Sequence, residues 1–193
     1  MKLWTLQPLE VLNQIETTGR FICDETKSCH LKDEPFIVAY NWLVSKMEEK
    51  IGSKPFDVKY PIWAWHSWNW KNKKPDLRRN EFHYGEKGSH WVCIELEIPT
   101  KEVVLSDEPS WTCYILNQDY FNSEMDENNW EIKEFWFDNL SLEEKEEIRI
   151  KSWDNVFDIT PCQTPFTSKG KYIQATFWEL KKEYIKKITH FTC

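Results

Sequence analysis

The sequence has little glycine and proline, and it lacks the motifs by which most nucleotide-binding enzymes are identified. Five glycines and nine prolines in 193 residues exclude a chain dominated by loops or disorder. No P-loop, Gly-x-Gly-x-x-Gly, His-Glu-x-x-His or Gly-x-Ser-x-Gly occurs. So few glycines also argue against a backbone cradle for phosphate groups. No motif therefore fixes a chemistry.

Long apolar runs and paired cysteines are also absent. No apolar run approaches the roughly 20 residues that a membrane span needs, and the segment from Met1 to Thr5 lacks the apolar core of a signal peptide. None of the six cysteines forms a Cys-x-x-Cys pair, and Cys23, Cys29 and His30 have no second half to complete a zinc site. We therefore expect a cytoplasmic protein that makes no membrane contact, carries reduced cysteines and holds no metal.

The net charge of −7 and the pI near 5.3 argue against a broad face for gripping nucleic acid, which is usually basic. One local exception, from Lys71 to Arg79, carries five positive charges and one negative. Two interpretations remain open for it: a solvated loop that follows a strand, or an edge that binds anions.

Aromatic residues are abundant: they make up 16% of the chain and include twelve tryptophans. Four of these fall in eight residues, from Trp63 to Trp70. Interpreted as the alternation of a β-strand, this run predicts that all four rings project from one face. That face is either a wall of the hydrophobic core or a platform on which a flat ligand stacks, and the sequence does not separate the two.

The hydrophobic pattern predicts an α+β fold with a compact mixed or antiparallel sheet core and packed helices, in a single domain over residues 1–193. The helices expected are 8–19, 33–51, one beginning at Ser106 or Asp107, and one opened by a capping box at Ser141 and continuing to about 157. The main strands expected are 2–7, 60–70, 90–98, 103–105, 171–180 and 188–191. Residues 118–139 show no clean period and are predicted to be irregular.

Polar side chains on otherwise apolar strands are the remaining candidates for chemistry. Rings for a base, arginine for phosphate and glutamate for ribose together can hold a nucleotide. The polar residues on or beside the predicted strands are Thr5, Gln7, Arg78, Arg79, Glu95, Glu97, Gln174, Thr176 and Glu179.

Five sequence blocks resemble an uncharacterised bacterial family that is known only by a domain-of-unknown-function label. The resemblance runs nearly end to end and implies a bacterial or phage-borne protein, with no activity attached. The blocks are residues 3–8 (LWTLQP), 60–65 (YPIWAW), 74–79 (KPDLRR), 105–107 (LSD) and 174–180 (QATFWEL).

The order of the predicted secondary-structure elements is also similar to that of the ADP-ribosyltransferase-like fold. The elements compared are a first strand with polar positions, a helix ending at Gly19, and a late strand bearing Glu179. This resemblance implies an NAD-utilising transferase that modifies a nucleic acid or a protein. Glu179 would stabilise the charge that grows on the ribose as nicotinamide leaves, with Gln174 as its positioning neighbour. Thr5 stands where the superfamily usually has histidine or arginine.

The same resemblance implies how NAD would be bound. Thr5 and Gln7 would contact the nicotinamide ribose, and Tyr60 or Trp65 would stack on a ring. Arg78 or Arg79 would pair with phosphate.

Two alternatives belong to other classes. A binding module without catalysis would hold a nucleotide or single-stranded nucleic acid on the strand predicted over residues 60–70 (the tryptophan strand) and on residues 71–79 (the basic strip). An interaction factor of a phage defence or counter-defence system would present its acidic surface to a basic protein partner.

Overall fold

The computed structural model describes residues 1–28, 31, 33–124, 126–163 and 167–193. Cys29 and His30 of the cysteine cluster lie outside these residues. Within them, no group of three or more histidine, cysteine, aspartate or glutamate side chains is arranged to hold a metal ion. Nor does any described helix combine the length and apolar character needed to cross a bilayer.

The described residues form five α-helices and ten strands, an α+β fold as predicted. The helices are α1 (Glu10–Thr18), α2 (Glu34–Ile51), α3 (Glu108–Ser110), α4 (Glu127–Asp138) and α5 (Leu142–Ser152). The strands are β1 (Lys2–Pro8), β2 (Arg20–Phe21), β3 (Ile62–Trp68), β4 (His90–Glu97), β5 (Val104–Asp107), β6 (Cys162–Gln163), β7 (Ser168–Lys169), β8 (Tyr172–Phe177), β9 (Leu180–Lys181) and β10 (Ile185–Thr192).

Six strands form the main sheet in the order β10-β4-β1-β3-β8-β5, and every neighbouring pair is antiparallel. The register places Trp4 opposite Trp65 and Trp65 opposite Gln174. Paired residues in a sheet share a face, so a continuous row of side chains runs across β1, β3 and β8. Ser106 of β5 extends that row, because it pairs with Gln174.

One face of the sheet packs against α1. Leu3, Ile94 and Phe177 are buried there with Val11 and Ile15 of the helix. α1 ends at Gly19 as predicted: this glycine has a φ of 80°, and its amide donates to the Ile15 carbonyl oxygen at 2.9 Å.

The other face is covered in two parts. Over β3, β8 and β5 lie α2, the segment after α3 and the turn that follows α5, with Leu43, Trp111 and Trp153 among the buried residues. Over β1, β3 and β4 lies the stretch after the basic strip, whose Phe82 is fully buried against Trp65.

The tryptophan strand depends on one irregularity. Trp65 and Trp68 are three residues apart and would lie on opposite faces of a regular strand. The register of β3 against β8 shifts between Trp65 and Ser67, which makes His66 the extra residue of a β-bulge. Trp68 thereby returns to the face of Trp65, with ring centroids 5.1 Å apart.

Trp70 leaves the strand, so the prediction that all four rings share one face is wrong for this residue. Asn69 and Trp70 have φ values of 54° and 57°, the left-handed pair of a type I′ turn. The Trp68 amide donates to the Lys71 carbonyl oxygen across the turn at 2.9 Å. The Trp70 ring is exposed to solvent.

The irregular segment predicted for residues 118–139 is also wrong, because α4 occupies 127–138. Asp126 caps it by accepting a hydrogen bond from the Asn129 amide at 3.1 Å. The helix has no buried residue, and an unburied helix need not show the period on which the prediction relied. The capping box at Ser141 and Glu144 is confirmed.

Candidate ligand-binding cavity

A cavity of about 180 Å³ lies where α2 and the α3 segment cross β3 and β8. Its lining is mainly aromatic, with a carboxyl, a hydroxyl and an amide among the rings. The lining residues are Phe36, Tyr40, Trp63, Glu108, Trp111, Thr112, Leu116 and Gln174. Ligand sites typically combine apolar walls with a few placed polar groups.

Sequence spacing explains how these residues meet. Phe36 and Tyr40 are four residues apart on α2 and share one face of it. Glu108, Trp111 and Thr112 have the i, i+3, i+4 spacing that brings side chains together on one side of a helix. Residues 111–115 form a π-helical turn, a widening often found at functional sites.

Asp107 fixes the start of that helix. Its Oδ2 accepts hydrogen bonds from the Ser110 amide at 3.1 Å and from the Ser110 hydroxyl at 2.6 Å, while its Oδ1 accepts one from the Gly170 amide at 2.7 Å. The carboxylate is 1% exposed. Glu108 is the next residue, so this buried anchor places its side chain at the cavity.

Three rings meet at steep angles around the cavity. The Tyr40 ring is perpendicular to that of Trp111, with centroids 5.7 Å apart, and lies at 75° to that of Trp63, with centroids 6.1 Å apart. Trp63 and Trp111 are 5.1 Å apart and tilted by 52°. Such edge-to-face arrangements stabilise aromatic clusters and fix the walls around the space that they enclose.

Glu108 is the carboxyl group that lines the cavity. Burial raises the pKa of Glu108; a hydrogen bond that its Oε1 accepts from the Thr112 hydroxyl at 3.1 Å opposes the rise, and the nearby Asp107 adds to it. A ligand with positive charge would relieve this penalty, because an opposite charge favours the ionised form.

Buried polar atoms beside the cavity have no hydrogen-bond partner among the described residues: the indole nitrogen of Trp63 and the hydroxyls of Ser106 and Thr176. Ser106 pairs with Gln174 and Thr176 with Trp63 in the sheet, so all lie on the face that carries the cavity. An unsatisfied buried polar group costs about 1–3 kcal/mol. These three atoms have almost no accessible surface, so they mark unsatisfied polar groups within the wall of the cavity.

Of the eight site residues expected from the sequence, Gln174 is the one that lines the cavity. Thr5 is fully buried on the opposite face; its hydroxyl donates to the Trp63 carbonyl oxygen at 2.8 Å and accepts from the Gln7 amide nitrogen at 2.8 Å. Both polar groups therefore make hydrogen bonds within β1 and β3.

The two candidate stacking rings are buried. Tyr60 is 3% exposed, and its hydroxyl donates to the Asn41 side-chain oxygen at 3.4 Å. Trp65 is 7% exposed and donates from its indole nitrogen to the Tyr84 hydroxyl at 3.2 Å. Neither lines the cavity; Trp63 does.

The two arginines predicted to bind phosphate lie on the surface and already form ion pairs with carboxylates. Arg78 makes two hydrogen bonds to Asp76, at 2.8 and 2.7 Å, and Arg79 pairs with Glu81 at 2.8 Å. The guanidinium of Arg79 also lies 5.7 Å from the centre of the Trp68 ring.

Glu179 lies away from Gln174. Its carboxylate pairs with Arg20 at 2.8 Å and with Lys181 at 3.3 Å, in an open groove at the end of α1. Gln174 lies within β8, whereas Glu179 lies beyond the end of that strand at Phe177, after a bend at Trp178. The structure does not bring the two residues of the expected catalytic pair together.

The family model described as Domain of unknown function (DUF3841) matches residues 2–186. The chain belongs to this family. The resemblance to an uncharacterised family is thereby confirmed, and the cavity lies within the matched span of this DUF3841 member. The comparison with curated proteins gives no match.

Sequence reasoning missed Glu108, Trp111 and Thr112. A signal was present, because the Asp107 cap and the spacing that follows it place these three side chains together. No signal in the sequence indicated that α2 packs beside these residues. α2 supplies Phe36 and Tyr40, which lie about 70 residues earlier in the chain.

Proposed function

We propose that this protein binds a nucleotide and holds one flat heteroaromatic ring of it in the cavity, with the nicotinamide ring of NAD as the first candidate. The observation that carries this proposal is an aromatic-walled cavity whose lining also includes the polar side chains of Glu108, Thr112 and Gln174. Glu108 and Gln174 are the groups assigned to recognise the ring.

The size of the cavity supports a single ring. An engineered apolar cavity of about 150 Å³ accepts benzene. A space of about 180 Å³ therefore suits a six-membered ring with one small substituent. The sugar and phosphates of a nucleotide would remain outside it.

The chemistry of the lining supports nicotinamide. The ring is cationic in oxidised NAD, and the faces of Tyr40, Trp63 and Trp111 attract cations. Glu108 adds a carboxylate. The Gln174 amide has both a donor and an acceptor, which matches the two groups of the nicotinamide carboxamide.

A transfer reaction of the kind that the resemblance implies needs a carboxylate near the ribose. Glu108 is the carboxylate that lines the cavity, whereas Glu179 lies beyond the end of β8, in a different groove, and pairs with two cations. We therefore assign the charge-stabilising role to Glu108, and Glu179 becomes the competing assignment for experiment.

The test is a titration of NAD, nicotinamide and ATP against the protein, followed by tryptophan fluorescence and melting temperature. Ligand at a hundred times its dissociation constant stabilises by about 2.7 kcal/mol. Trp111→Leu and Gln174→Leu should weaken the NAD response, while Trp70→Leu, on the exposed turn, should leave it intact. Absence of any response to NAD and nicotinamide, or responses unchanged in both cavity variants, would overturn the proposal.

A second candidate function, single-stranded nucleic-acid binding, has its own supporting observation. The Lys171 ammonium lies 5.2 Å from the Trp70 ring centre and 5.1 Å from that of Tyr172, which places rings and positive charge together where β3 ends and β8 begins. Binding there would weaken steeply as salt rises and would be lost in Trp70→Leu. A salt-insensitive signal would exclude it.

A further inference from the structure

The outer face of α4 carries an apolar stripe that faces solvent. Ile132, Phe135 and Trp136 are 65%, 73% and 46% exposed, and their i, i+3, i+4 spacing makes them neighbours on the helix surface. Exposed apolar residues scattered singly are ordinary, but a contiguous group indicates an interaction surface.

The inner face of α4 fixes this orientation. The Asn122 side-chain amide donates to the Trp130 carbonyl oxygen at 3.0 Å and to the Glu134 carboxylate at 2.9 Å. The Phe137 ring stacks on Tyr120, with centroids 4.2 Å apart and planes at 10°. Because these contacts fix the inner face of α4, the opposite stripe stays directed outward.

An acidic row runs along one flank of the stripe. Glu127, Glu131 and Asp138 have the i, i+4, i+11 spacing of one line along a helix, all three are exposed, and none makes an ion pair within the described residues. Residues 126–152, which include α4 and α5, hold nine acidic and four basic residues. This stretch therefore carries a net charge of −5 out of the chain's −7.

We infer that the outer face of α4 binds a basic amphipathic helix of a partner protein. Apolar residues of that helix would cover the stripe, and its lysines and arginines would meet the acidic row, as in other helix-in-groove recognition. The twelve residues of α4 provide a surface about 18 Å long.

Charge selects this occupant over two others. A second copy of α4 would bring a second acidic row against the first, and like charges repel. An anionic lipid surface is disfavoured for the same reason.

The binding test uses a labelled 18-residue amphipathic peptide of leucine and lysine, with a leucine–glutamate peptide of the same pattern as control. The wild-type protein should bind the lysine peptide and not the glutamate peptide. The double variant Phe135→Ser/Trp136→Ser should bind at least tenfold more weakly, while Phe56→Ser, at a fully exposed phenylalanine elsewhere, should bind within twofold of wild type.

A second pair of variants tests the charge. Glu131→Gln/Asp138→Asn should weaken binding and flatten its salt dependence, whereas Glu143→Gln/Glu147→Gln on α5 removes the same charge and should change binding less. Equal binding by wild type and the stripe variant, or equal losses in the two charge variants, would overturn the inference. So would a self-association in sedimentation that the stripe variant abolishes. All substituted positions are exposed, and unchanged melting temperatures would confirm that the variants fold.

Discussion

The Asp107 carboxylate and the Gly170 amide, 63 positions apart, are joined by a hydrogen bond of 2.7 Å in the buried interior. The other oxygen of the same carboxylate caps α3 through Ser110. One side chain thus ties the beginning of α3 to the turn before β8. The position of Glu108 relative to Gln174 depends on this link.

Asp107→Asn should lower the free energy of unfolding by about 2–3 kcal/mol. An asparagine amide has one acceptor oxygen instead of two, so either the Gly170 amide or the Ser110 cap loses its partner. Urea denaturation measures the change. Asp126→Asn on the exposed cap of α4 is the matched control and should be nearly neutral, because asparagine caps helices well; equal effects at the two sites would contradict the account.

Gly170→Ala should be more destabilising than Gly88→Ala. Both glycines have left-handed φ values, 78° and 89°, which cost a side-chain-bearing residue about 1–2 kcal/mol. At Gly170 the added Cβ would also lie 2.9 Å from the Ile159 carbonyl oxygen, whereas nothing lies within 4 Å at Gly88. Thermal unfolding compares the two, and similar losses would show that the close contact at Gly170 relaxes freely.

His66 should make stability fall on acidification. Burial, and secondarily the positive amino terminus, lower the pKa of His66 below its usual 6.5. The unfolded chain therefore takes up a proton first, so this contribution is complete above about pH 6.5 and is lost as the pH falls below it. The urea midpoint should drop between pH 7 and pH 5.5 in the wild type and drop less in His66→Gln. Parallel profiles would exclude His66 as the cause.

Glu108→Gln should weaken NAD binding and remove its dependence on pH. Because burial raises the pKa of Glu108 above 4.5, affinity for a cationic ring should increase as the pH rises through that range and the carboxyl ionises. Fluorescence titrations at several pH values measure this. Affinity for uncharged nicotinamide should change less, and an unaltered pH profile in the variant would remove Glu108 from the site.

Glu179→Gln should lower stability only slightly, because the side chains of its partners Arg20 and Lys181 are 38% and 37% exposed and ion pairs open to solvent are weak. The NAD response should persist. If Glu179→Gln folds normally and loses transfer activity that Glu108→Gln retains, the assignment made from the sequence is correct and ours is wrong.

Local signals in the sequence predicted most of the fold. Gly19, Asp107 and Ser141 mark helix ends by conformations and caps that depend only on neighbouring residues, and each lies where it was expected. α4 was missed because its outer face carries apolar residues that no core buries. The cavity was missed because it forms between segments that are distant in sequence, and a local sequence pattern does not predict such long-range contacts.

The choice between core wall and ligand platform was open in the sequence because both need the same alternation. The structure places the tryptophans in different environments. Trp65 is buried, Trp63 lines the cavity, and Trp70 is exposed on a turn. The burial of each ring depends on what packs above the strand, and the covering segments, α2 and the residues around Phe82, lie outside the alternating pattern itself.

The bulge at His66 has a consequence for how this strand can change. The three-residue step from Trp65 to Trp68 and the one extra residue in the ladder cancel each other, which is why an odd spacing still yields rings on one side. Regularising the ladder without a deletion would turn Trp68 to the other face of the sheet and bring Ser67 into its place, whereas deleting one residue together with the bulge would keep Trp68 on the side of Trp65. Related sequences should therefore keep the odd step and the bulge together or lose both together.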